Sequence, residues 1–508
     1  MHRDSDLDLE QPLPANAEAL IQDLELDTLL DAMARGDDYL RELARKCLLL
    51  GLGDPEAILY RQRILGDCLE QPAIVRQMYD LAIEALESKR KAQLLWFRDS
   101  PDTLLAKSVR MLELLTDVLK QVRKLADEHA AAFRSDGFTR LFATLVRELD
   151  DDYLQTVEGH LRELKFRRGA LISAELGRGN RGTRYVLRKP NEQSLLQKLT
   201  PSRRASYSFN VADRDEHGMT TLSELRGRGI NLAASALAQS TDHILSFFNT
   251  LRAELGFYVA CLNLHDQLTE KEQPTCFPVP RPAGEPMLSP RQLYDVSLAF
   301  HLDSKVVGNT VDADGKALVI ITGANQGGKS TFLRSVGLAQ LMMQAGIFVG
   351  AEAFTANTCA GVFTHFKREE DATMTRGKLE EELNRMSEIA DTIRPTSLLL
   401  CNESFASTNE REGSEIARQV VGAMMEAGVK VFFVTHMFDL ASGFYRQQLE
   451  PALFLRAERK PDGRRTYRQL EGEPLPTSYG PESYQRIFGA APELPSANQD
   501  QLADKMRA

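Results

Sequence analysis

The run Gly323-Ala324-Asn325-Gln326-Gly327-Gly328-Lys329-Ser330-Thr331 has the residue types and spacing of a complete phosphate-binding loop. It follows the apolar stretch Ala317 to Ile321 and precedes a helical pattern that begins at Phe332. The chemistry constrains these types closely. Glycines let backbone amides close around an anion at the start of a helix, a lysine reaches the outer phosphates, and a serine hydroxyl ligates magnesium. The expectation is a nucleoside triphosphate site lined by residues 323–331, with Lys329 on phosphate and Ser330 on the metal. The plainer alternative is a Gly-rich strand-to-helix turn with a solvated lysine. The strand before the loop and the helix after it weigh against that.

Two further runs carry chemistry. Ser397 to Cys401 reads as an apolar strand that ends in Asn402-Glu403. In an ATPase with a phosphate loop, this strand end carries an acid that orients the magnesium shell, followed in many cases by a glutamate that activates the attacking water. Glu403 fits the second role. Asn402 stands where the acid is expected; an amide accepts hydrogen bonds from metal-bound waters but brings no negative charge, so magnesium affinity should fall. A dead site, in which Asn402 only caps the strand, is the competing reading. The run Val429 to Thr435 ends in His436. At the carboxyl end of a buried parallel strand, a histidine lies where such sheets bind ligands and can touch a γ-phosphate or the attacking water. Taken alone it would be a satisfied buried histidine.

The elements that must position these groups follow from length and pattern. A chain of 508 residues should divide into about two to four domains. Residues 1–17 are acidic and expected to be disordered. Residues 18–160 are poor in proline, with apolar residues at helical spacing such as Leu112, Leu115, Leu119, Val122 and Leu125. In residues 161–215 glycines interrupt the pattern, and Arg184 to Arg188 alternates like a short strand. Between Arg162 and Arg204 there are twelve lysines or arginines against three glutamates, although the whole chain carries a formal charge of −10. Any nucleic-acid contact must therefore be local. Tyr185 and Tyr207 interleave with these arginines, a composition suited to backbone contact that releases counterions; a solvated hairpin balancing an acidic surface is the alternative. Residues 216–273 return to a helical pattern, clearest from Leu232 to Gln267, and five prolines from Pro274 to Pro286 mark a linker. Residues 274–490 alternate strands and helices, which predicts an α/β domain with a mostly parallel sheet and helices on both faces. Residues 491–508 read as a flexible tail. A hydrophobic content of 43% and a charged content of 26% are those of a globular protein. No apolar run approaches the roughly 20 residues needed to cross a bilayer, and the acidic start is unlike a signal peptide, so the expectation is a cytoplasmic protein with no membrane role. Cys47, Cys68, Cys261, Cys276, Cys359 and Cys401 lack metal spacing and are expected to be reduced thiols.

With these residues in place, Ile321 to Thr331 is very similar to the ATPase domain of the MutS proteins of DNA mismatch repair. The likeness extends through Asn402-Glu403-Ser404-Phe405-Ala406-Ser407-Thr408-Asn409, then Thr435-His436 and Ser478-Tyr479-Gly480. Upstream, Val307-Gly308-Asn309 resembles the segment whose asparagine lies beside the adenine, and Asp54 to Ile58 with Arg61 and Arg63 resembles the lever domain. The resemblance implies an ABC-like P-loop fold preceded by a mainly α-helical lever and clamp. It implies cofactors ATP and Mg2+, a homodimer closed around two nucleotides, and a clamp that encircles DNA. Arg178, Arg181, Arg184, Arg188, Arg203 and Arg204 would then lie at the clamp tip and contact DNA, and a repair protein would be a partner.

Departures from the family pattern refine these expectations. The chain begins almost directly in lever-like helices, which is expected to leave no room for a mismatch-reading domain; the substrate expected is mismatched, branched or otherwise distorted duplex DNA in repair or recombination, with distortion rather than the single mismatch read. The segment presented across the family's dimer contains a serine; here Thr375 to Glu382 has Gly377 and Lys378 near that place. No endonuclease-like tail is expected after Gly489. The alternative function is an ATP-gated dimerising interaction protein with little hydrolysis and no DNA role. A metabolic kinase ranks third, because Glu403 and His436 suit water activation better than a second substrate.

Overall fold

The computed structural model describes residues 3–93, 100–167, 169–189, 207–368, 377–460 and 464–475. The chain divides into two compact units. The first comprises Met1–Gln11, Met33–Cys47 and Leu59–Leu264, the second Pro12–Ala32, Leu48–Ile58 and His265–Ala508.

In chain order the helices α1 (Ala17–Asp23), α2 (Leu26–Ala34), α3 (Asp38–Leu49), α4 (Pro55–Glu70), α5 (Pro72–Gln93), α6 (Pro101–His129), α7 (Asp136–Glu148) and α8 (Asp151–Leu164) come first. The hairpin β1 (Leu171–Leu176) and β2 (Gly182–Arg188) follows, and then α9 (Glu216–Glu270). Local sequence sets these boundaries. Ser100 accepts a hydrogen bond from the Thr103 amide ahead of Pro101, and Asp150 accepts one from the Tyr153 amide at 2.7 Å, so α6 and α8 both start on capped turns. In the first unit, Leu105, Val109 and Leu112 of α6 form one apolar cluster with Leu161 of α8 and Ile230 and Ala234 of α9. Leu187 of β2 packs on that cluster, and Ile172 of β1 lies so close to Gly229 that a Cβ there would meet it at 2.6 Å. The hairpin is thus seated through its inner side chains. A register shift between Ser173 and Glu175 bulges β2, and Arg184 takes the left-handed backbone that the bulge requires, at φ 50°.

The second unit adds β3 (Val279–Arg281), β4 (Leu288–Arg291), α10 (Val296–His301), β5 (Leu318–Thr322), α11 (Lys329–Gln344), β6 (Ala353–Asn357), β7 (Val362–Phe366), α12 (Lys378–Thr392), β8 (Leu398–Asn402), α13 (Glu410–Glu426), β9 (Lys430–Val434), α14 (Phe438–Arg446), β10 (Ala452–Arg459) and β11 (Arg465–Glu471). The main sheet has six strands in the order β11-β10-β5-β9-β8-β7. All neighbours pair parallel except β10 with β11, so the sheet is mostly parallel with one antiparallel edge. A small sheet, β3-β6-β4, stands beside it.

Continuous apolar strands require cover on both faces. Leu399, Cys401, Val431 and Phe433 point to one face and join Met386 and Ile389 of α12, Ala417 and Val421 of α13 and Leu440 and Phe444 of α14. On the other face α11 approaches so closely that a Cβ on Gly337 would meet Leu400 at 2.7 Å. No helix among the described residues is long and apolar enough to cross a membrane. The six cysteines are free; five are buried and Cys276 is half-buried.

Candidate nucleotide site

Strands β5, β9 and β8 are neighbours in the sheet, and their carboxyl ends carry the loop 323–328, His436 and the Asn402-Glu403 pair. The loop's glycines are used as the chemistry demands. Gly323 and Gly328 have φ of 114° and 85°, a region that carries a steric cost for residues with a Cβ. Gly328 is the N-cap of α11, so the loop's amides stand at a helix N-terminus, where partial positive charge collects. Gln326 is also left-handed, at φ 59°.

Lys329 is 5% exposed, and its ammonium donates to the carbonyls of Gly323 at 2.9 Å and Ala324 at 3.2 Å. Burial pushes its pKa down, the Glu403 carboxylate pulls it up, and the Arg465 guanidinium pushes it down further. Ser330 donates its hydroxyl to Oδ1 of Asn402 at 2.9 Å. The serine and the strand-end residue are therefore in direct contact, with an amide oxygen where a carboxylate is usual. Glu403 sits past the end of β8 with left-handed backbone, φ 54°, and its amide donates to the Val434 carbonyl of β9. Its Oε2 accepts from the His436 amide at 3.1 Å and lies 2.5 Å from His436 Nδ1. This hydrogen bond raises the His436 pKa, against the lowering effect of burial, and so favours the imidazolium.

Asn309 is 6% exposed and sits against β11: its Oδ1 accepts from the Gln469 amide at 2.7 Å, and its Nδ2 donates to the Tyr467 carbonyl at 3.4 Å. Gln469 in turn donates to the Gly327 carbonyl at 3.2 Å, and Arg465 donates to the Gln326 side chain at 2.5 Å. A Cβ on Gly328 would meet the Tyr467 carbonyl oxygen at 3.2 Å. Strand β11 therefore runs along the phosphate loop and brings Arg465, Tyr467 and Gln469 to it. Sequence reasoning missed all three. The only signal was the basic pair Arg464-Arg465 following Pro461-Asp462-Gly463, which marks a turn but not the strand's destination.

The candidate DNA residues form a separate group. Arg178, Arg181, Arg184 and Arg188 are all exposed on the β1–β2 hairpin. Arg184 pairs with Glu175 at 3.2 Å, and Arg188 donates to Ser173 Oγ at 2.9 Å. Arg203 and Arg204 lie outside the described residues, as do Ser478-Tyr479-Gly480 and Thr375-Arg376. Lys378 begins α12 and Gly377 is its N-cap.

Residues 53–271 match the family model of the MutS2 N-terminal domain, and residues 319–494 match that of MutS domain V. The chain is 27% identical over 245 residues to the MutS protein homolog 4 of Mus musculus, covering 46% of this chain and 24% of that one. It is 28% identical over 224 residues to the DNA mismatch repair protein MutS of Chloroflexus aurantiacus, covering 43% and 23%. It is 32% identical over 149 residues to the Endonuclease MutS2 of Thermus thermophilus, covering 29% and 20%. The matched stretch is about a quarter or less of the length of each of these relatives.

Proposed function

We propose that this chain, which belongs to the MutS family, is a magnesium-dependent ATPase whose nucleotide cycle governs its grip on distorted duplex DNA. The observation that carries the ATPase reading is the bonded constellation at three adjacent strand ends: Lys329 on the loop, Ser330 on Asn402, and Glu403 on His436. Its layout suits an ABC-like P-loop fold. The donor set suits a polyphosphate, since a buried ammonium and a helix N-terminus converge on one loop. It also suits a hard cation shared with phosphate, because the Ser330 hydroxyl and the Asn402 amide oxygen bring two oxygen donors together at 2.9 Å. Among the described residues, no group of three or more His, Cys, Asp or Glu is arranged to hold a metal by itself.

Each residue then has a role. Lys329 exchanges its loop carbonyls for the outer phosphates, and the glycine-rich backbone cradles the remaining oxygens. Arg465, beside Gln326, adds a second positive charge at the loop. Asn309 holds β11 in register at the edge of the base site. Ser330 and Asn402 would hold the water shell of a magnesium ion, which would supply positive charge to the phosphates. Glu403 accepts the proton of the attacking water through the carboxylate oxygen not engaged by His436. His436, whose protonation the hydrogen bond to Glu403 favours, would sense the γ-phosphate. Because Glu403 is already hydrogen-bonded to His436 at rest, and Asn402 brings no charge, turnover should be slow.

For DNA the support is the exposed, arginine-rich hairpin together with the relatives' printed names, mismatch repair protein and endonuclease. We assign the parts of residues 18–160 and 216–273 that lie in the first unit to a lever, residues 161–215 to the clamp tip and residues 274–490 to the ATPase domain, acting as a homodimer. Glu403→Gln tests the enzymatic half: ATP binding should be kept, and turnover should fall about 10²- to 10⁴-fold. Unchanged turnover removes Glu403 from the mechanism. Binding with no turnover in the unaltered protein favours the ATP-gated interaction protein, a reading that the neutral Asn402 supports.

A further inference from the structure

Behind Glu403 lies a buried set of side chains that the roles above do not use. Glu403 and Phe405 both hold left-handed backbone, at φ 54° and 61°, a conformation disfavoured for residues with a Cβ and kept only where the surroundings impose it. Ser404, between them, is 0% exposed. Its hydroxyl lies 2.7 Å from the ring Nδ1 of His365, in β7, and 2.7 Å from the carbonyl oxygen of the same residue. The other ring nitrogen of His365, Nε2, is 2.9 Å from the Glu382 carbonyl oxygen of α12.

Proton counting fixes the roles. A carbonyl only accepts, so Nε2 carries a hydrogen. Burial pushes the His365 pKa down to about 4, so the ring is neutral and Nδ1 is an acceptor. The one proton of Ser404 is thus held between two acceptors, both belonging to His365. The ring also stacks on Phe405, with centroids 5.3 Å apart and planes inclined at 26°. On the far side of the turn, Ser407 donates to the Glu382 carboxylate at 2.9 Å. Helix α12 is therefore tied to the turn that presents Glu403 at two points, through His365 to Ser404 and directly to Ser407.

We propose that His365 is a positioning residue for Glu403, holding Ser404 and Phe405 so that the carboxylate is aimed from the end of β8, and relaying the placement of α12 to it. The inference rests on Glu403 being the general base. A base displaced by a fraction of an ångström keeps its substrate but loses its geometry, so the effect belongs in kcat.

The test uses the full chain with His365→Phe, His365→Asn and Ser404→Ala, each made with and without Glu403→Gln. Phenylalanine keeps the stack on Phe405 and removes both ring nitrogens; asparagine restores a group that can bond Ser404; alanine removes only the hydroxyl and serves if His365→Phe does not fold. Turnover, ATP affinity and melting temperature are measured on each. The expected result is a fall in kcat of about tenfold or more in His365→Phe and Ser404→Ala. ATP affinity should stay within about twofold, His365→Asn should recover part of the rate, and the same changes should move residual turnover by less than about twofold when Glu403 is already Gln. A folded Ser404→Ala with unchanged kcat overturns the proposal. So does a loss that adds in full to Glu403→Gln, or one that appears in ATP affinity instead. Turnover insensitive to Glu403→Gln alone would instead remove the general base itself, and the positioning role with it.

Discussion

Around the phosphate loop most candidate side chains are hydrogen-bonded to other side chains or to the backbone, whereas along the β1–β2 hairpin the candidate arginines face solvent. Lys329 is 5% exposed and donates to two loop carbonyls, while Arg178 and Arg181 stand exposed at the hairpin tip and Arg184 makes only a surface ion pair. The difference separates two kinds of recognition. A pre-bonded site fixes distances before the ligand arrives, so removing one member leaves other groups without partners and costs much. An exposed basic hairpin contributes field and counterion release, so its members act nearly additively and its strength falls with salt. Exposed ion pairs such as Arg184 with Glu175 are worth little in stability, which leaves that arginine available to a phosphate.

Lys329→Ala should give the largest effect, because it removes the only cation buried in the loop: nucleotide affinity should fall by about 10²-fold or more, with turnover lost alongside. Fluorescent-nucleotide titration checks this, and retained affinity would mean that the loop binds no phosphate. Next, replacing Arg178, Arg181, Arg184 and Arg188 together by Glu should weaken DNA binding by one to three orders of magnitude and reduce the slope of log K against log salt by about three to four. Nucleotide affinity should be unchanged. If DNA binding and its salt slope both survive, the hairpin is not the contact surface. Asn402→Asp comes third. A carboxylate beside Ser330 should lower the magnesium concentration needed for half-maximal turnover by up to about tenfold, and an unaltered magnesium profile would show that this position does not face the metal shell.

These predictions divide as the legibility of the sequence does. The loop 323–331, Asn402, Glu403 and His436 each sit at the end of a short apolar run, and parallel pairing brings such ends together, so local pattern was enough to collect them. The mostly parallel sheet followed from the same alternation. The contribution of β11 was not legible: Gln469 reaches Gly327, and Asn309 reaches Tyr467 and Gln469, across long stretches of chain whose pairing no local period encodes. The antiparallel edge of the sheet was hidden for the same reason. Helix α9 begins at Glu216, where the helical region 216–273 was expected to begin, although the periodic pattern is clear only from Leu232. Its first turns are mostly exposed and contain Gly218, Gly227 and Gly229, so the apolar stripe is weakest there. Likewise, helical spacing marks α1 and α2 as helices but carries no sign that Pro12–Ala32 folds with the second unit. The tie between His365, Ser404 and Glu382 joins β7, the β8 end and α12, and its residue types alone suggested nothing.

The smallest effect expected is a pH dependence. Glu403 raises the pKa of His436 above the ordinary 6.5. Its contribution to stability is therefore fully present below about pH 6.5 and is lost as pH rises through the raised folded value. The imidazole is 47% exposed, so solvent screens the pair and the change in melting temperature should be slight. His436→Gln should flatten the melting curve against pH in the window above 6.5; an identical pH dependence in the variant would contradict the pairing.

The central claim is that the pre-bonded site and the exposed hairpin serve one cycle. Its most direct test is ATP turnover by the full chain with branched, mismatched and plain duplex DNA and without DNA, at two salt concentrations, beside Glu403→Gln and the four-arginine variant. The account predicts turnover that Glu403→Gln lowers by about two orders of magnitude or more, that a branched or distorted duplex stimulates more than a plain one at low salt, and that loses this stimulation, but not its basal rate, in the arginine variant. Turnover indifferent to every DNA, or stimulation that persists without the arginines, would contradict it.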